Sequence, residues 1–215
     1  MPRTLRDLWA GHITADDYER HMAATGQPQA NADLLAELFR DAPPAPGARI
    51  LFAGAGTGQY FDYFPPTSLG PYRPIFTDLN PLFLDRLAAR CIAMRTPCQT
   101  LVDDIEAPRG TAIFGPFDLA IVILVLEHVE WRMAVAELCR MAARVFAIIQ
   151  ENPAGLTERP LSGTLAALRD LPPQLVDPDE LIAEFGGRGF ELTRTSFRAV
   201  RGGKKMVGLD FRCRR

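Results

Sequence analysis

The sequence predicts a single α/β domain over residues 1–215, built on a mostly parallel β-sheet with helices on both faces. Short apolar runs alternate with amphipathic segments, glycines cluster directly after the first run, and two β-prone runs flank Gly202-Gly203 near the end. Strands that alternate with helices are typical of parallel sheets, and a glycine pair between two runs is typical of a hairpin. With 215 residues, 47% of them hydrophobic, the chain can bury one full core.

The chain opens with a predicted helical preface, defined here as residues 1–46. Thr14 followed by acidic residues is a typical helix N-terminus, and Gly26 is expected to end that helix. A second helix is expected at about 30–40. The proline-rich stretch 42–47 then breaks this helix and leads into the first strand.

Near-continuous apolar runs are expected to form parallel strands that are covered on both faces. These runs span residues 49–53, 74–77, 100–102, 118–124 and 145–149. Helices are expected at 81–91, at 131–143, near 163–169, and between Asp177-Pro178 and Gly186-Gly187. The sixth and seventh strands, at 190–200 and 205–213, are expected to form the final hairpin.

Composition and cysteine spacing exclude several classes of protein. A net charge of −2 shows no basic excess and argues against a nucleic-acid partner. The longest apolar run, 119–126, is too short to span a bilayer, and the first residues lack the apolar region of a signal peptide. The four cysteines form neither a CxxC pair nor a Cys/His metal spacing. We therefore expect a cytoplasmic protein with free thiols, no metal site and no membrane partner.

The most informative segment is the glycine loop, Ala53-Gly54-Ala55-Gly56-Thr57-Gly58-Gln59, which follows the first strand directly. Glycine permits a sharp turn and lets a ligand approach the backbone. A helix is expected just beyond, and its free N–H groups would suit a carboxylate. A dinucleotide fingerprint would need its third glycine at the position of Gln59, so the spacing argues against nicotinamide binding.

This loop resembles that of the class I S-adenosylmethionine-dependent methyltransferases, and the resemblance runs from about residue 50 to the end. It implies a Rossmann-like fold of seven mostly parallel strands with one antiparallel strand, and S-adenosyl-L-methionine as the cofactor. The loop residues expected to surround the methionine part are Ala53, Gly54, Ala55, Gly56, Gly58 and Gln59. The family usually carries an acidic residue two positions before the first glycine, where it helps to organise the loop and the cofactor's ammonium group. This chain has Phe52 there.

Two acidic positions extend the predicted cofactor site. Asp78, with Leu79, follows the second strand about 20 residues past the glycine loop, where a carboxylate can accept both ribose hydroxyls. The alternative for Asp78 is a helix N-cap, although Asn80 suits that role better because a proline follows it. By resemblance, Asp104 would meet the adenine amino group and Ile105 would pack on the ring. The alternative is a pair of solvated loop acids.

The acceptor side is expected beyond the fourth strand. The sequence Leu126-Glu127-His128-Val129 is similar to that family's fourth-strand region, and by resemblance Ile123 and Leu124 would lie near the sulfonium. His128 is a candidate general base, with packing or capping as the alternative.

Two further segments are expected to contribute to the acceptor side. Tyr18 and His21, about one helical turn apart, are candidate substrate contacts. The preface is expected to act as a lid, and the excursion 152–176 to cover the acceptor.

These features predict a methyltransferase that acts on an unidentified small molecule by in-line transfer from the sulfonium. Such a displacement needs alignment and exclusion of water rather than a fixed catalytic set. Phe52 keeps open the alternative of an inactive, methyltransferase-like binding or regulatory protein. A nicotinamide-dependent oxidoreductase is a weaker alternative because of Gln59. The acceptor and the oligomeric state are not assigned by the sequence.

Overall fold

A computed structural model describes residues 4–64, 66–96, 98–153, 161–169, 171 and 174–214. Its centre is one seven-stranded sheet. The strands are β1 (Arg49–Ala53), β2 (Arg73–Asp78), β3 (Gln99–Val102), β4 (Leu119–Ile123), β5 (Arg144–Glu151), β6 (Phe190–Ala199) and β7 (Lys205–Cys213). Their order is β3-β2-β1-β4-β5-β7-β6, and only β7 runs antiparallel to its neighbours. The predicted sheet, with one antiparallel strand, is confirmed.

The helices are α1 (Leu5–Asp7), α2 (Ala15–Thr25), α3 (Gln27–Asp41), α4 (Pro81–Ala93), α5 (Gly110–Phe114), α6 (Trp131–Met141) and α7 (Pro178–Gly187). Their ends follow the predicted capping. The Thr14 hydroxyl accepts a hydrogen bond from the backbone of Asp17, and Gly26 adopts a left-handed conformation at the end of α2. Asn80, rather than Asp78, caps α4 by accepting from the Leu82 N–H. Asp78 is therefore free of that capping role.

The helix expected directly after the glycine loop does not form. Gly58 leads instead into a single 3₁₀ turn, Gln59–Asp62. Pro65 and Pro66 follow closely in the sequence, and because proline lacks an N–H and constrains the residue before it, a longer helix is disfavoured. The loop therefore has no α-helical N-terminus behind it, and that part of the prediction is wrong.

Apolar cores lie on both faces of the sheet, as predicted. One core contains side chains of α6 and α7, among them Leu138 and Phe185. The other contains side chains of α3 and α4, among them Leu35 and Leu87. Burial of these two layers is the main driving force for folding.

A buried ion pair fastens β7 to β5. Arg144 on β5 donates from Nε and Nη2 to the two carboxylate oxygens of Asp210 on β7, each at 2.7 Å. Its Nη1 donates to the Ala42 carbonyl at 2.7 Å, which ties the end of α3 to the same pair. Within the described ranges, no helix combines the length and apolarity needed to cross a bilayer.

Candidate functional site

A cavity of about 420 Å³ lies at the carboxyl ends of β1, β2 and β4. This is the edge of an open α/β sheet at which ligands bind. Seven of the twelve predicted cofactor residues line it: Gly54, Gly56, Asp78, Leu79, Ile105, Ile123 and Leu124. Ala55, Gly58 and Gln59 line a smaller cavity beside it, and Ala53 is buried in β1. We call the 420 Å³ space the main cavity.

The glycine loop requires glycine for two separate reasons. Gly54, Gly56 and Gly58 have φ angles of 64°, 59° and 71°, a left-handed conformation that side chains disfavour. A Cβ atom on Gly54 would also lie 2.3 Å from Cγ2 of Val125. Gly54 and Gly56 therefore line the main cavity without side chains, and a side chain at Gly54 would collide with Val125.

Asp78 joins the end of β2 to this loop. Its Oδ2 accepts a hydrogen bond from the Gly56 N–H at 2.8 Å, and its Oδ1 accepts from the Asn80 N–H at 2.9 Å. Burial raises the pKa of the carboxyl, while the backbone hydrogen bonds act in the opposite direction. Each carboxylate oxygen still has a lone pair for a further donor, so Asp78 can accept hydroxyl groups from a ligand in the main cavity.

The two acids after β3 have different surroundings. Asp103 lines the main cavity, but one of its oxygens accepts from the Thr111 N–H at 2.6 Å and the other from the Arg109 N–H at 3.1 Å. Asp104, the predicted adenine contact, is buried and its Oδ2 lies 2.6 Å from Nη2 of Arg6. An adenine amino group would therefore have to compete with Arg6 for this carboxylate.

Phe52 shows how the loop is supported without the usual acid. Its ring is buried and stacks on Phe76 with centroids 4.8 Å apart, and on Tyr60 at 6.2 Å. Phe52 does not line the main cavity. Aromatic packing therefore takes the place of a carboxylate beneath the loop.

The preface contributes part of the cavity wall. Tyr18 stacks on Phe83 with ring centroids 5.2 Å apart, and the ring centroids of Trp9 and His128 are 4.4 Å apart. The side-chain amide of Asn80 donates to the Trp9 carbonyl at 3.1 Å and fastens this segment to α4. The preface thus reaches over the carboxyl ends of the strands and forms part of the wall of the main cavity.

A second cavity, of about 130 Å³, adjoins the main one, and we call it the side cavity. It brings together the three predicted substrate residues Tyr18, His21 and His128. It is otherwise mostly apolar, with Leu161, Leu165 and Leu168 among its lining residues. The two cavities share Trp9, Tyr18, Leu124, His128 and Gln174.

Part of the predicted excursion 152–176 lines the side cavity. Residues 161–169 of that excursion are described and contribute the three leucines to the side cavity. Residues 154–160, 170, 172 and 173 lie outside the described residues.

Sequence reasoning missed Glu127, which lines the side cavity. Its side chain is buried, and its Oε1 accepts from the Gln150 N–H at 2.7 Å. Its Oε2 has no hydrogen-bond partner among the described residues. Burial raises the pKa of the Glu127 carboxyl to about 7. The signal in the sequence was an acid directly after the apolar run 119–126, where most residues are buried.

Comparisons with solved structures identify the fold. The chain is similar to magnesium protoporphyrin IX methyltransferase (ChlM) from Synechocystis PCC 6803 with bound SAH, with 16% identity, a TM-score of 0.72, and coverage of 93% of this chain and 94% of that one. It is also similar to the CurJ carbon methyltransferase, with 19% identity, a TM-score of 0.59, and coverage of 84% of this chain and 52% of that one. The chain therefore has the fold of the class I S-adenosylmethionine-dependent methyltransferases.

The same fold is found in the [4+2]-cyclase SpnF, with 13% identity, a TM-score of 0.65, and coverage of 84% of this chain and 80% of that one. No protein-family model matches the sequence, and the comparison with curated proteins finds no significant relative. The fold is thus established by structure rather than by sequence identity.

Proposed function

We propose that this protein is an S-adenosylmethionine-dependent methyltransferase that acts on a small molecule. The observation that carries the proposal is the joining of Asp78 to the Gly56 N–H at the rim of the main cavity. A carboxylate with spare lone pairs suits the ribose hydroxyls of the cofactor, and a glycine loop without side chains lets the methionine part lie close to the backbone. ChlM is described with bound SAH, and that binding supports the same cofactor here.

The residues of the main cavity fit such a molecule in polarity as well as in position. Ile105, Phe83 and Leu79 offer apolar surface for a planar base, and Asp78 offers acceptors for hydroxyl groups. When bound, S-adenosylmethionine supplies an activated methyl group on a positively charged sulfur. The protein's own contribution is to align the acceptor and to exclude water.

The side cavity is the proposed acceptor site. It meets the main cavity at Tyr18, Leu124 and His128, so an acceptor held there would face the cofactor across these residues. Its leucine-rich wall favours an apolar acceptor. The volume of the side cavity is only about 130 Å³. We therefore do not propose the magnesium protoporphyrin IX named for ChlM as the acceptor of this protein.

Glu127 and His128 are the proposed proton acceptors at that site. A carboxyl with a pKa near 7 is well matched to general-base work at neutral pH. His128 lies at the junction of the two cavities, next to Glu127 in sequence. An oxygen or sulfur acceptor would lose its proton to one of them, whereas an amine that arrives deprotonated would need neither.

The experiment is calorimetric titration of the purified protein with S-adenosylmethionine, S-adenosylhomocysteine and, separately, NAD. We expect micromolar binding of the first two and none of NAD. Asp78→Asn should weaken binding by about tenfold or more, because a charged acceptor is lost. The matched control is Asp85→Asn, an exposed acid on α4, which should bind like the wild type. Absence of binding at millimolar concentration would refute the cofactor assignment.

The second candidate function is an inactive binding or regulatory protein of the same fold. Phe52 favours it, and SpnF shows that a protein with this fold is described by an activity other than methyl transfer. Incubation with methyl-labelled cofactor and a panel of small apolar alcohols, thiols, carboxylic acids and amines separates the two. Labelled product supports the enzyme. Tight cofactor binding without product from any acceptor class supports the binding protein.

A further inference from the structure

A small cavity lies beside the glycine loop, and we call it the polar cavity. Its volume is about 20 Å³, which is enough for roughly one group of the size of a water molecule. It shares Tyr18, Gly54 and Ile123 with the main cavity, so it is continuous with the wall against which the cofactor is proposed to lie. Its remaining polar lining comes from α3 and from residues 57–60.

Four polar side-chain atoms at this cavity are buried and have no hydrogen-bond partner among the described residues. They are Oδ1 of Asn31, Oγ1 of Thr57, Oε1 of Gln59 and the hydroxyl oxygen of Tyr60. The exposures of the residues are 2%, 0%, 8% and 5% respectively. Buried polar atoms in proteins are nearly always paired, so four unpaired atoms around one space indicate a missing polar occupant.

The chemistry of the four atoms selects the occupant. The two amide oxygens can only accept hydrogen bonds, and the two hydroxyls can accept as well as donate. No cationic side chain is among the described residues that line the space, and a carboxylate would leave the two amide oxygens unpaired. A compact group with several N–H donors suits the set better, because the three donors of an ammonium group can pair with both amide oxygens and one hydroxyl.

We propose that the polar cavity receives the α-ammonium group at the amino-acid end of the cofactor. This inference rests on the proposed function, because it takes S-adenosylmethionine as the ligand. Neutral acceptors from Asn31, Gln59 and Tyr60 then do the work of the acidic residue that the resemblance to the class I family leads one to expect at the position of Phe52. Phe52 supports this arrangement from below, since its ring stacks on that of Tyr60.

Neighbouring contacts fix the loop and α2 around the polar cavity. Arg90 donates to the Thr57 carbonyl at 2.9 Å and to Oε1 of Glu19 at 2.5 Å, which fixes the loop against α2. Tyr18 closes the space from the same helix, and its hydroxyl oxygen lies 3.5 Å from the position that a Cβ on Gly56 would take. These contacts fix the backbone at Thr57 and place α2 against the polar cavity.

The experiment is calorimetric titration of the full chain with three ligands. They are S-adenosylhomocysteine, its analogue that lacks only the α-amino group, and 5′-methylthioadenosine, which lacks the whole amino-acid end. We expect the deaminated analogue to bind about tenfold or more weakly than S-adenosylhomocysteine, because hydrogen bonds to a charged group are lost. Equal affinity of these two ligands would overturn the proposal.

Variants then locate the effect. Asn31→Leu should weaken S-adenosylhomocysteine by about tenfold while leaving 5′-methylthioadenosine unchanged, because only the first ligand carries the ammonium group. Tyr60→Phe removes a single oxygen, keeps the ring, and should act in the same direction. Gln29→Leu, an exposed amide on the same helix, is the matched control and should bind all three ligands like the wild type.

Each remaining outcome has a distinct meaning. If both variants bind S-adenosylhomocysteine like the wild type, the polar cavity holds a structural water only and the proposal is wrong. If they lose affinity for S-adenosylhomocysteine and 5′-methylthioadenosine equally, the residues act on the fold and the proposal is also wrong. If the wild-type protein binds none of the three ligands, the proposed function itself fails.

Discussion

Replacement of Glu127 by glutamine should make the protein more stable at alkaline pH and change it little at acidic pH. The carboxyl has an ordinary pKa of 4.5 and a pKa of about 7 in the folded protein, where burial disfavours its charge. The folded state therefore holds its proton more tightly than the unfolded state does. As the pH rises above 4.5, the unfolded chain ionises first, and the wild type loses stability until the folded carboxyl also ionises near pH 7.

The magnitude follows from that difference in pKa. One pKa unit corresponds to about 1.4 kcal/mol, so the full effect is about 3 kcal/mol, most of it between pH 5 and pH 8. Glutamine keeps an oxygen that can accept from the Gln150 N–H, and it does not titrate. Relative to the wild type, the free energy of unfolding of the variant should therefore rise by roughly this amount between about pH 5 and about pH 8.

Urea unfolding at pH 5 and at pH 8, with linear extrapolation to water, measures the two free energies of unfolding. Glu151→Gln is the control, because this carboxylate is exposed and its replacement should give the same change at both pH values. A difference between wild type and Glu127→Gln that does not vary with pH would refute the reasoning. So would a variant that loses stability as the pH rises.

Three other substitutions test separate parts of the site and the fold. Gly54→Ala should lower the free energy of unfolding by about 1–3 kcal/mol and weaken S-adenosylhomocysteine binding, because its Cβ would strain the backbone and strike Val125; unchanged stability in urea unfolding would contradict this. Arg6→Gln should tighten S-adenosylhomocysteine by about threefold, since it releases the carboxylate of Asp104 from a half-exposed ion pair; weaker binding by calorimetry would show that Arg6 assists instead. Asp210→Asn should cost about 3–5 kcal/mol in urea unfolding because its arginine partner stays buried and charged; a loss below about 1 kcal/mol would show that water reaches the arginine.

Much of the fold could be predicted from the sequence because prolines and glycines clearly mark the ends of the apolar runs. The bounds of β1 are those expected, since a proline-rich stretch precedes the apolar run and a glycine ends it. The helix after the loop was a wrong expectation, because the nearby prolines and the aromatic residues 60, 61 and 64 favour a short turn that packs on the sheet. α5 was not predicted, since five residues are too few for a periodic pattern.

The candidate site could be predicted only where a single segment contains both the functional residue and the strand end that positions it. The glycines and Asp78 follow strand ends, so their position in the sheet could be inferred from the local sequence. The ion pair of Arg6 with Asp104 joins residues that are distant in the chain, and no local pattern encodes it. The raised pKa of Glu127 arises from packing by several elements, so a single segment does not reveal it.

The place of β7 in the sheet constrains the order in which the strands can assemble during synthesis. β7 is the last of the seven strands in the chain, yet it lies between β5 and β6 and pairs with both. During synthesis the earlier strands emerge first, and β5 and β6 expose unpaired edges until residues 205–213 leave the ribosome. The charged pair that seats β7 closes in that same final step. The sheet is therefore completed only after translation of its last strand, and until then the sides of β5 and β6 that β7 later pairs with stay open to a chaperone.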